Sequence, residues 1–338
     1  MPLLSIVLVS YNSLADLQRC LPSIATQTGI RPADLEIILV DNHHHDGVAE
    51  WLPSAWPNVI LLTNPSNTGY AGGNNIGLTR ATGQWVLFLN PDTVLAPDCL
   101  HYLLTTARQN RTAFLNPKLL NPDGTINACG NQFHYTGITT CRGLNRPSSE
   151  CTTIEPVSLL SGAAFMAPTV AVRELGGFDE RYFMYFEDAD LSLRARQAGY
   201  QLLCDARAEI THYYRLGMSP QKFFYLERNR LLTFRKVLQT NTWRQLLPGL
   251  LLTELLTWAF ALRGLPYLQA RVRTYTWLWQ HRHTTQSPRH SVLSDATLLA
   301  DATTALPIEQ LMPGQLGALI NLPLTRLYRW LAPKWLKK

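Results

Sequence analysis

Residues 85–92 read WVLFLNPD, five apolar residues in a row followed by an asparagine, a proline and a carboxylate. Three further short runs rich in Val, Ile and Leu precede it, at residues 5–9, 35–40 and 59–62. Stretches with helical spacing of apolar residues lie between the runs, at residues 14–24 and 71–80. Continuous apolar strands that alternate with helices are typical of sheets buried on both faces. The sequence therefore predicts an α/β fold with an open, mostly parallel sheet flanked by helices.

Each predicted strand ends in polar or turn-forming residues. The ends read SYN at 10–12, VDN at 40–42, NPSNTGYAGGNN at 64–75 and LNPD at 89–92. In open parallel sheets, ligands bind beyond the carboxyl ends of the strands. We therefore expect these four strand ends to form one binding edge.

The composition is that of a globular protein. Of the 338 residues, 46% are hydrophobic and 16% are charged, which excludes a disordered or coiled-coil chain and suits one large domain with an extension. The six cysteines form no CxxC pair and no zinc-ligand spacing with histidine, so we expect reduced thiols in the cytoplasm. The first residues, MPLLSIVLVS, predict a strand rather than a signal peptide.

The positive charge is concentrated in the second part of the chain. Residues 1–212 carry a net charge of −6, whereas residues 213–290 carry 12 basic and 2 acidic residues, a net charge of +10. This asymmetry suggests two separate roles. We predict a main domain at residues 1–235 and a C-terminal helical extension, basic and apolar, at residues 236–338.

Nucleic acid and an anionic membrane are the two partners that suit such an extension. Residues 246–262 are short for a membrane span and include Pro248 and Glu254, which favours a helix lying on the membrane surface between Trp, Tyr and Arg residues. The alternative is a helix that packs on the main domain. We expect peripheral contact with the inner face of the cell membrane and no nucleic acid partner.

Several polar residues at the strand ends are candidates for ligand binding. Asp92 can bind a hard divalent cation, and through it a diphosphate, or it can cap a turn. Asp41 can accept hydrogen bonds from a base or ribose, or form an Asx turn. His212 ends another apolar run and can complete a metal shell with Asp92 or be structural. His43–His45 cannot all face one ion, and we interpret them as a solvated loop. The Gly- and Asn-rich segment 67–75 permits close backbone approach to a phosphate, although it matches no standard nucleotide motif.

The densest set of charges lies in GGFDERYFMYFEDADLSLRARQAGY, residues 176–200. The spacing predicts a helix that begins near Asp188 and ends before Gly199. Glu187 and Asp188 can cap this helix. Alternatively, a carboxylate shielded by the aromatic run FMYF can take a proton from a sugar hydroxyl. We expect Asp190 and Arg194 to pair on the surface.

In their order, these motifs resemble those of family 2 glycosyltransferases, inverting enzymes with the Rossmann-like glycosyltransferase A fold. They are SIVLVSYN, VDN, NTGYAGGNN, LNPDT, LLSGAAFM, GGFDERYFMYFEDADLSLR, ITH and YLERNR, and they span about residues 4–235. FMYFEDADL and the NPD motif resemble the rhamnosyltransferase-type subgroup, which builds cell-surface polysaccharide. The resemblance implies that residues 1–235 are a glycosyltransferase catalytic domain.

The resemblance also implies roles for individual residues. Asp188 would be the general base, with Glu187 beside it, and Asp92 and His212 would bind Mg²⁺ or Mn²⁺. The nucleotide-sugar donor would be bound by Ser10, Asn12, Asp41, Asn67, Gly69, Gly73, Asn74 and Asn90. The acceptor or a phosphate would be bound by Gly162, Arg228 and Asn229. Asn90 stands where the family's metal motif DxD has its first acid, so the ligand set carries one charge fewer.

The implied reaction transfers a sugar from a nucleotide-sugar donor to a glycan or polyprenyl-diphosphate-linked acceptor. Subgroup resemblance favours dTDP-L-rhamnose as the donor. The metal would offset charge on the leaving diphosphate while the base deprotonates the acceptor hydroxyl, so that one displacement inverts the anomeric centre. Two alternatives stay open: a nucleotidyltransferase, and a non-catalytic protein that binds sugar nucleotides or glycans.

Overall fold

The computed structural model describes residues 1–43, 46–214, 217–283, 293–306 and 315–336. The chain forms two compact units. The first comprises Met1–Asn131, Cys141–Ala195 and Tyr200–Arg215, and the second comprises Gln132–Thr140, Arg196–Gly199 and Leu216–Lys338. His44 and His45 of the predicted loop lie outside the described residues.

The first unit alternates strands and helices, and the four strands predicted from apolar runs are present. Its helices are α1 (Leu14–Ala25), α2 (Val48–Ala55), α3 (Gly69–Arg80), α4 (Cys99–Gln109), α5 (Thr169–Glu174) and most of α6 (Glu187–Gln197). Its strands are β1 (Leu4–Ser10), β2 (Leu35–Asp41), β3 (Ile60–Thr63), β4 (Trp85–Leu89), β5 (Thr93–Leu95), β6 (Ala113–Leu120), β7 (Ile126–Ala128), β10 (Ile154–Pro156), β11 (Ala164–Pro168) and β12 (Gln201–His212). A separate hairpin joins β8 (Asn131–Phe133) to β9 (Thr139–Cys141).

One large sheet runs in the order β10-β12-β6-β11-β4-β1-β2-β3, with β5 paired to β12 and β7 paired to β6. The group β4-β1-β2-β3 is parallel throughout, and β6 and β12 are also parallel to each other. Strand β11 runs antiparallel to both β4 and β6 and so joins the two parallel groups. The predicted α/β class, with a largely parallel sheet flanked by helices, is confirmed.

Strand β4 is apolar along its whole length because each of its faces packs into a different core. Leu87 and Leu89 join the core that α1 covers with Leu17 and Leu21. Phe88 points into the other core, where its ring lies 5.1 Å from that of Phe165 and 4.9 Å from that of Phe178. Since alternate residues of a strand point to opposite faces, burial of both faces requires an uninterrupted apolar run.

The glycines of segment 67–75 serve helix packing. The predicted Gly- and Asn-rich loop is shorter than expected, because helix α3 already begins at Gly69. A Cβ atom on Gly73 would lie 2.6 Å from Cγ1 of Val9, and one on Gly77 would lie 2.3 Å from Cγ1 of Val7. Glycine at these two positions lets α3 approach β1 closely.

The second unit is mainly helical. Its helices are α7 (Pro220–Val237), α8 (Thr240–Ala261), α9 (Leu265–Gln280), the short α10 (Asp295–Leu298) and α11 (Gln315–Leu331). Helix α7 lies in this unit, and the predicted domain boundary at residue 235 stays a prediction. Among the described residues, no helix has the length and apolar content that crossing a membrane requires.

A buried network of charges holds α7, α8 and α9 together. Arg230 on α7 bonds to Glu227 on the same helix at 2.8 Å and to Glu254 on α8 at 2.6 Å. Arg271 on α9 bonds to Glu227 at 2.6 Å and also to Glu254. Both guanidinium groups are fully buried, and two carboxylates balance their charge. The single charge in the apolar run 246–262 is thus a structural partner of two arginines, which explains why α7 folds with the helices that follow it.

We predict that Gly73→Ala destabilises the protein by about 1–3 kcal/mol, because the new methyl group overpacks the contact with Val9. The double variant Gly73→Ala/Val9→Ala should recover stability relative to the sum of the two single changes, as measured by urea unfolding. Without the overpacking, replacing glycine by alanine inside a helix should stabilise the helix by roughly 0.5–1 kcal/mol. A neutral or stabilising Gly73→Ala, additive with Val9→Ala, would show that the glycine is not needed for packing.

Candidate active site

The register of β5 and β12 brings Asp92 and His212 together. His212, the last residue of β12, is paired with Thr93, and the N–H of Tyr213 donates to the Asp92 carbonyl at 2.8 Å. The Thr93 hydroxyl donates to the Asn90 carbonyl at 2.6 Å and closes the turn that carries Asp92. As a result, His212 Nε2 lies 3.3 Å from Asp92 Oδ1.

These two atoms fit a divalent cation. Both are buried, and neither has a hydrogen-bond partner among the described residues. Buried polar atoms are normally satisfied, so an exception calls for an explanation. An imidazole nitrogen and a carboxylate oxygen this close together are a donor set that Mn²⁺ or Mg²⁺ can use, and metal binding here stays a prediction.

Two further side chains hold the imidazole of His212. Its Nδ1 lies 3.3 Å from Oδ1 of Asn127, and its ring is stacked on that of Tyr214 with centroids 5.5 Å apart. Orientation of a ligating histidine through its second nitrogen is a common feature of metal sites. Tyr214 is in turn hydrogen-bonded to Tyr185, two residues before Glu187. The candidate metal ligands and the acidic helix start are therefore linked through two tyrosines.

Helix α6 begins after a tight aromatic turn. Phe183, Tyr185 and Phe186 have φ values of 64°, 64° and 72°, in the left-handed region. Bulky side chains adopt this conformation at a cost of about 1–3 kcal/mol each, and such residues cluster at functional sites. The turn makes Glu187 and Asp188 the first residues of α6, as the sequence predicted for Asp188.

The Asp188 carboxylate is held by backbone groups. The N–H of Gly162 donates to its Oδ2 at 2.8 Å, and the N–H of Ala189 donates to its Oδ1 at 2.7 Å. The Gly162 carbonyl accepts the Tyr70 hydroxyl at 2.6 Å. A Cβ atom on Gly162 would lie 3.2 Å from Asp188, so glycine permits this close approach. Gly162 thus contacts the candidate base itself, whereas the resemblance implied contact with the acceptor or a phosphate.

Both acids at the start of α6 have raised pKa values. Burial raises the pKa of Asp188, while the hydrogen bonds from Gly162 and Ala189 partly oppose the shift. Burial raises the pKa of Glu187 well above its usual range, and the neighbouring charge of Asp188 adds to this effect. One oxygen of Glu187 is buried with no hydrogen-bond partner among the described residues. A raised pKa makes the Asp188 carboxylate a stronger base when it is ionised, which suits a general base.

The ends of β1 and β2 are the edge at which we predicted donor binding, and that role stays a prediction. Ser10 and Asp41 are register partners at the ends of their strands. The Ser10 hydroxyl is buried with no hydrogen-bond partner among the described residues. The N–H of His43 donates to Asp41 Oδ1 at 3.1 Å, so the Asx turn weighed as an alternative is present. Asn12 is exposed and has a positive φ of 55°.

The remaining donor-binding candidates have structural partners. Asn67 Oδ1 accepts from the N–H of Gly69, the first residue of α3, at 2.8 Å. Gly69 has a φ of 72° and faces the Phe183 carbonyl, which leaves no room for a side chain. Gly73 contacts Val9, and Asn74 is buried and donates to the Tyr70 carbonyl at 2.9 Å. Ligand binding by these four residues stays a prediction, and their packing explains them without a ligand.

Arg228 and Asn229 lie on α7 in the second unit. Both are buried, and Arg228 Nε donates to Asn229 Oδ1 at 2.8 Å. The guanidinium of Arg228 also stacks on Trp277, 4.5 Å from the ring centroid. Their predicted role in phosphate binding stays untested.

We predicted that Asp190 and Arg194 pair on the surface, and the predicted location is wrong. The two side chains do pair, at 2.8 Å, but Asp190 is fully buried and Arg194 is nearly so. Arg194 also donates to the carbonyls of Leu175 and Gly177. The pair therefore fixes α6 to the preceding segment, because a buried charge has to be matched by several partners.

Sequence reasoning missed Tyr70, Asn127 and Tyr214. Tyr70 and Tyr214 stand beside recognised motifs, in TGYAGG and THYY, and an aromatic residue next to a candidate ligand is the signal that could have identified them. Asn127 lies in no motif, and only the sheet brings it to His212.

Two sequence profiles of known families match the chain. The profile of Glycosyl transferase family 2 matches residues 5–152, and that of Glycosyl transferase family group 2 matches residues 85–281. The chain is also 29% identical over 268 residues to an N-acetylglucosaminyl-diphospho-decaprenol L-rhamnosyltransferase of Mycobacterium tuberculosis. That alignment covers 71% of this chain and 86% of the relative.

Two solved structures share the fold. S. aureus TarS 1-349 in complex with UDP-GlcNAc matches with a TM-score of 0.57 and 17% identity, covering 98% of this chain and 90% of that one. GalNAc-T7 with UDP, GalNAc and Mn²⁺ matches with a TM-score of 0.58 and 20% identity, covering 70% of this chain and 48% of that one. These matches confirm the predicted glycosyltransferase A fold.

We predict that Glu187→Gln stabilises the protein increasingly as pH rises. Because the folded-state pKa of Glu187 is raised, the folded chain holds a proton that the unfolded chain releases, and wild-type stability falls above the unfolded pKa of about 4.3. The melting temperature of the variant relative to wild type should therefore be higher at pH 8 than at pH 5. The control Glu50→Gln, at an exposed position on α2, should show no such trend. A gain that is the same at both pH values would contradict the raised pKa.

Proposed function

The chain belongs to the family 2 glycosyltransferases and is rhamnosyltransferase-like, and on this premise we propose the reaction that its site performs. We propose that it transfers a sugar from a nucleotide-sugar donor to a lipid-linked glycan acceptor in cell-envelope glycan synthesis, with inversion at the anomeric centre. The relative from M. tuberculosis, named for L-rhamnosyl transfer to a decaprenol-linked acceptor, supports the acceptor class and L-rhamnose as the transferred sugar. We propose dTDP-L-rhamnose as the donor that carries it.

The observation that carries the proposal is the pair of unsatisfied buried atoms on Asp92 and His212, 3.3 Å apart at the end of the sheet. Asp92 and His212 would hold Mn²⁺ or Mg²⁺, and Asn127 and Tyr214 would keep the imidazole in place. The bound ion would offset negative charge on the donor's diphosphate. The Mn²⁺ in the GalNAc-T7 structure supports a divalent ion for this fold.

Ser10 and Asp41 would contact the nucleoside. They end adjacent parallel strands, at the edge where ligands of such sheets bind. The buried Ser10 hydroxyl would gain a hydrogen-bond partner when the donor binds, which removes the cost of leaving it unsatisfied.

Asp188 would accept the proton of the acceptor hydroxyl. The two backbone N–H groups fix the direction of its carboxylate before substrate arrives, so no reorganisation is needed during the transfer. Burial raises its pKa and thereby strengthens it as a base. Attack by the deprotonated hydroxyl forms the new glycosidic bond as the bond to the diphosphate breaks, and this single displacement inverts the configuration.

The second unit would place the enzyme at the inner face of the cell membrane. Along α8 and at the residue that follows it, five apolar side chains spaced three or four residues apart are exposed: Leu247, Leu251, Leu255, Trp258 and Leu262. The exposed Arg244 and Arg263 lie at the two ends of this stripe. An apolar stripe between cations is typical of helices that lie on anionic membranes. A lipid-linked acceptor would then be reached without extraction from the bilayer.

We predict that Asp188→Asn lowers turnover by at least about 100-fold, since the base is lost, while donor binding survives. Binding is measured as the rise in melting temperature with a nucleotide sugar and Mn²⁺. Asp92→Asn should remove the part of this rise that depends on Mn²⁺. Turnover that persists in Asp188→Asn would refute the base assignment.

Asp98→Asn is the control for both changes, because Asp98 is an exposed carboxylate just before α4. It should leave turnover and the Mn²⁺-dependent rise unchanged. Transfer of a nucleotidyl group instead of a sugar, or binding without any transfer to a lipid-linked acceptor, would favour the two alternative functions.

We predict that the protein floats with vesicles of phosphatidylglycerol in a density gradient, and less so at high salt because charge attraction is screened. Leu251→Glu/Leu255→Glu should abolish flotation, since two charges would enter the apolar stripe. Val170→Glu is the matched control, because Val170 is an exposed apolar residue on α5 in the first unit. Wild-type protein that stays at the bottom of the gradient would refute the membrane contact.

A further inference from the structure

Three cysteines that are distant in sequence meet inside the first unit. Cys129 directly follows β7, Cys151 follows the 3₁₀ turn Ser148–Glu150, and Cys204 lies in β12. All three are buried, and their sulfur atoms lie within 4.8 Å of one another. We refer to them as the cysteine cluster. We propose that the cysteine cluster is a binding site for one thiophilic metal ion, Zn²⁺ in the first instance.

The spacing of the sulfurs suits a common ion. Zinc–sulfur bonds are about 2.3 Å long, which places three sulfurs around one ion roughly 4 Å apart. The cysteine cluster is therefore within a small side-chain rotation of a three-thiolate site. Thiolates select soft or borderline ions such as Zn²⁺ over Mg²⁺ and Mn²⁺, so this site differs in its chemistry from the pair Asp92 and His212. The cysteine cluster offers three ligands, so water would have to fill the fourth position of a tetrahedral Zn²⁺.

Two cations lie beside the cysteine cluster, and each is also paired with a carboxylate, Arg142 with Glu155 at 2.7 Å and Lys118 with Glu209 at 2.8 Å. Three thiolates and one Zn²⁺ would leave one negative charge, which these cations offset only in part. Arg142 Nε donates to the Cys129 carbonyl at 2.7 Å, and Lys118 Nζ donates to the Cys151 carbonyl at 3.1 Å. Nη2 of Arg142 is buried with no hydrogen-bond partner among the described residues.

An ion bound by the cysteine cluster would connect the two strands that carry Asn127 and His212. Cys129 follows the strand that carries Asn127, and Cys204 belongs to the strand that ends at His212. The contact between Asn127 and His212 therefore depends on the relative position of these two strands. A metal ion that crosslinks them stabilises that position from inside the protein.

The test uses the full-length protein after reduction and removal of metals. One equivalent of Co²⁺, the spectroscopic substitute for Zn²⁺, should produce a thiolate-to-metal charge-transfer band, and one equivalent of Zn²⁺ should abolish that band and raise the melting temperature. Cys151→Ser should weaken binding by more than about tenfold. Cys141→Ser, which changes a cysteine outside the cysteine cluster, should leave binding unchanged.

Three outcomes would overturn the proposal, and all of them can be seen in the wild-type protein. Binding of Co²⁺ without the thiolate band would assign the ion to histidines or to the Asp92–His212 pair. The absence of binding by fully reduced protein would exclude a metal site. A disulfide mapped to two of Cys129, Cys151 and Cys204 in protein purified without reductant would show that the cysteine cluster forms a disulfide instead. None of these readouts depends on glycosyl transfer, so the proposed function is tested separately.

Discussion

The antiparallel pairing of β5 with β12 is the constraint on which the site depends. Strand β5 has only three residues, yet its register sets His212 opposite Thr93 and therefore beside Asp92. The two residues are 120 positions apart in the chain, so no local preference could bring them together. The buried side of β12 fixes this register, because a slip of one residue would turn every side chain of the strand to the opposite face. Core packing thus determines the position of two polar groups at the edge of the core.

The sequence predicted those strands and helices that leave a recognisable local pattern of apolar or acidic residues. The strands β1 to β4 were found within one or two residues, because each contains a continuous apolar run, and β1 and β4 are buried on both faces almost throughout. The start of α6 was found because acidic residues favour a helix N-terminus. The strand ends identified Asp92, Asp41 and Ser10, since parallel topology requires their carboxyl ends to share one edge.

The features that the sequence did not predict depend on tertiary contacts, which leave no local signal in the sequence. The pair of Asp190 and Arg194 reads as a surface pair from its spacing, and only the fold around α6 buries it. Asn127 acts through a sheet contact with His212, and the cysteines approach one another through three separate segments. Gly73 was interpreted as a ligand-binding glycine, whereas the short distance to Val9 gives a packing reason for it. In each case the missing information was which side chain lies opposite, and a single sequence does not supply it.

The charge network of α7, α8 and α9 limits where the chain can be truncated without loss of stability. Motif order alone would suggest that a shortened chain ending at residue 235 keeps everything needed for sugar transfer. Such a chain would retain Glu227 and Arg230 but lose Glu254 and Arg271, and would leave each retained charge with half of its partners. Removing one side of a buried ion pair costs about 3–5 kcal/mol, a large part of the stability of an ordinary domain. The last helix of the recognised motifs is therefore inseparable from the segment that follows it, and a minimal active fragment has to extend at least through α9.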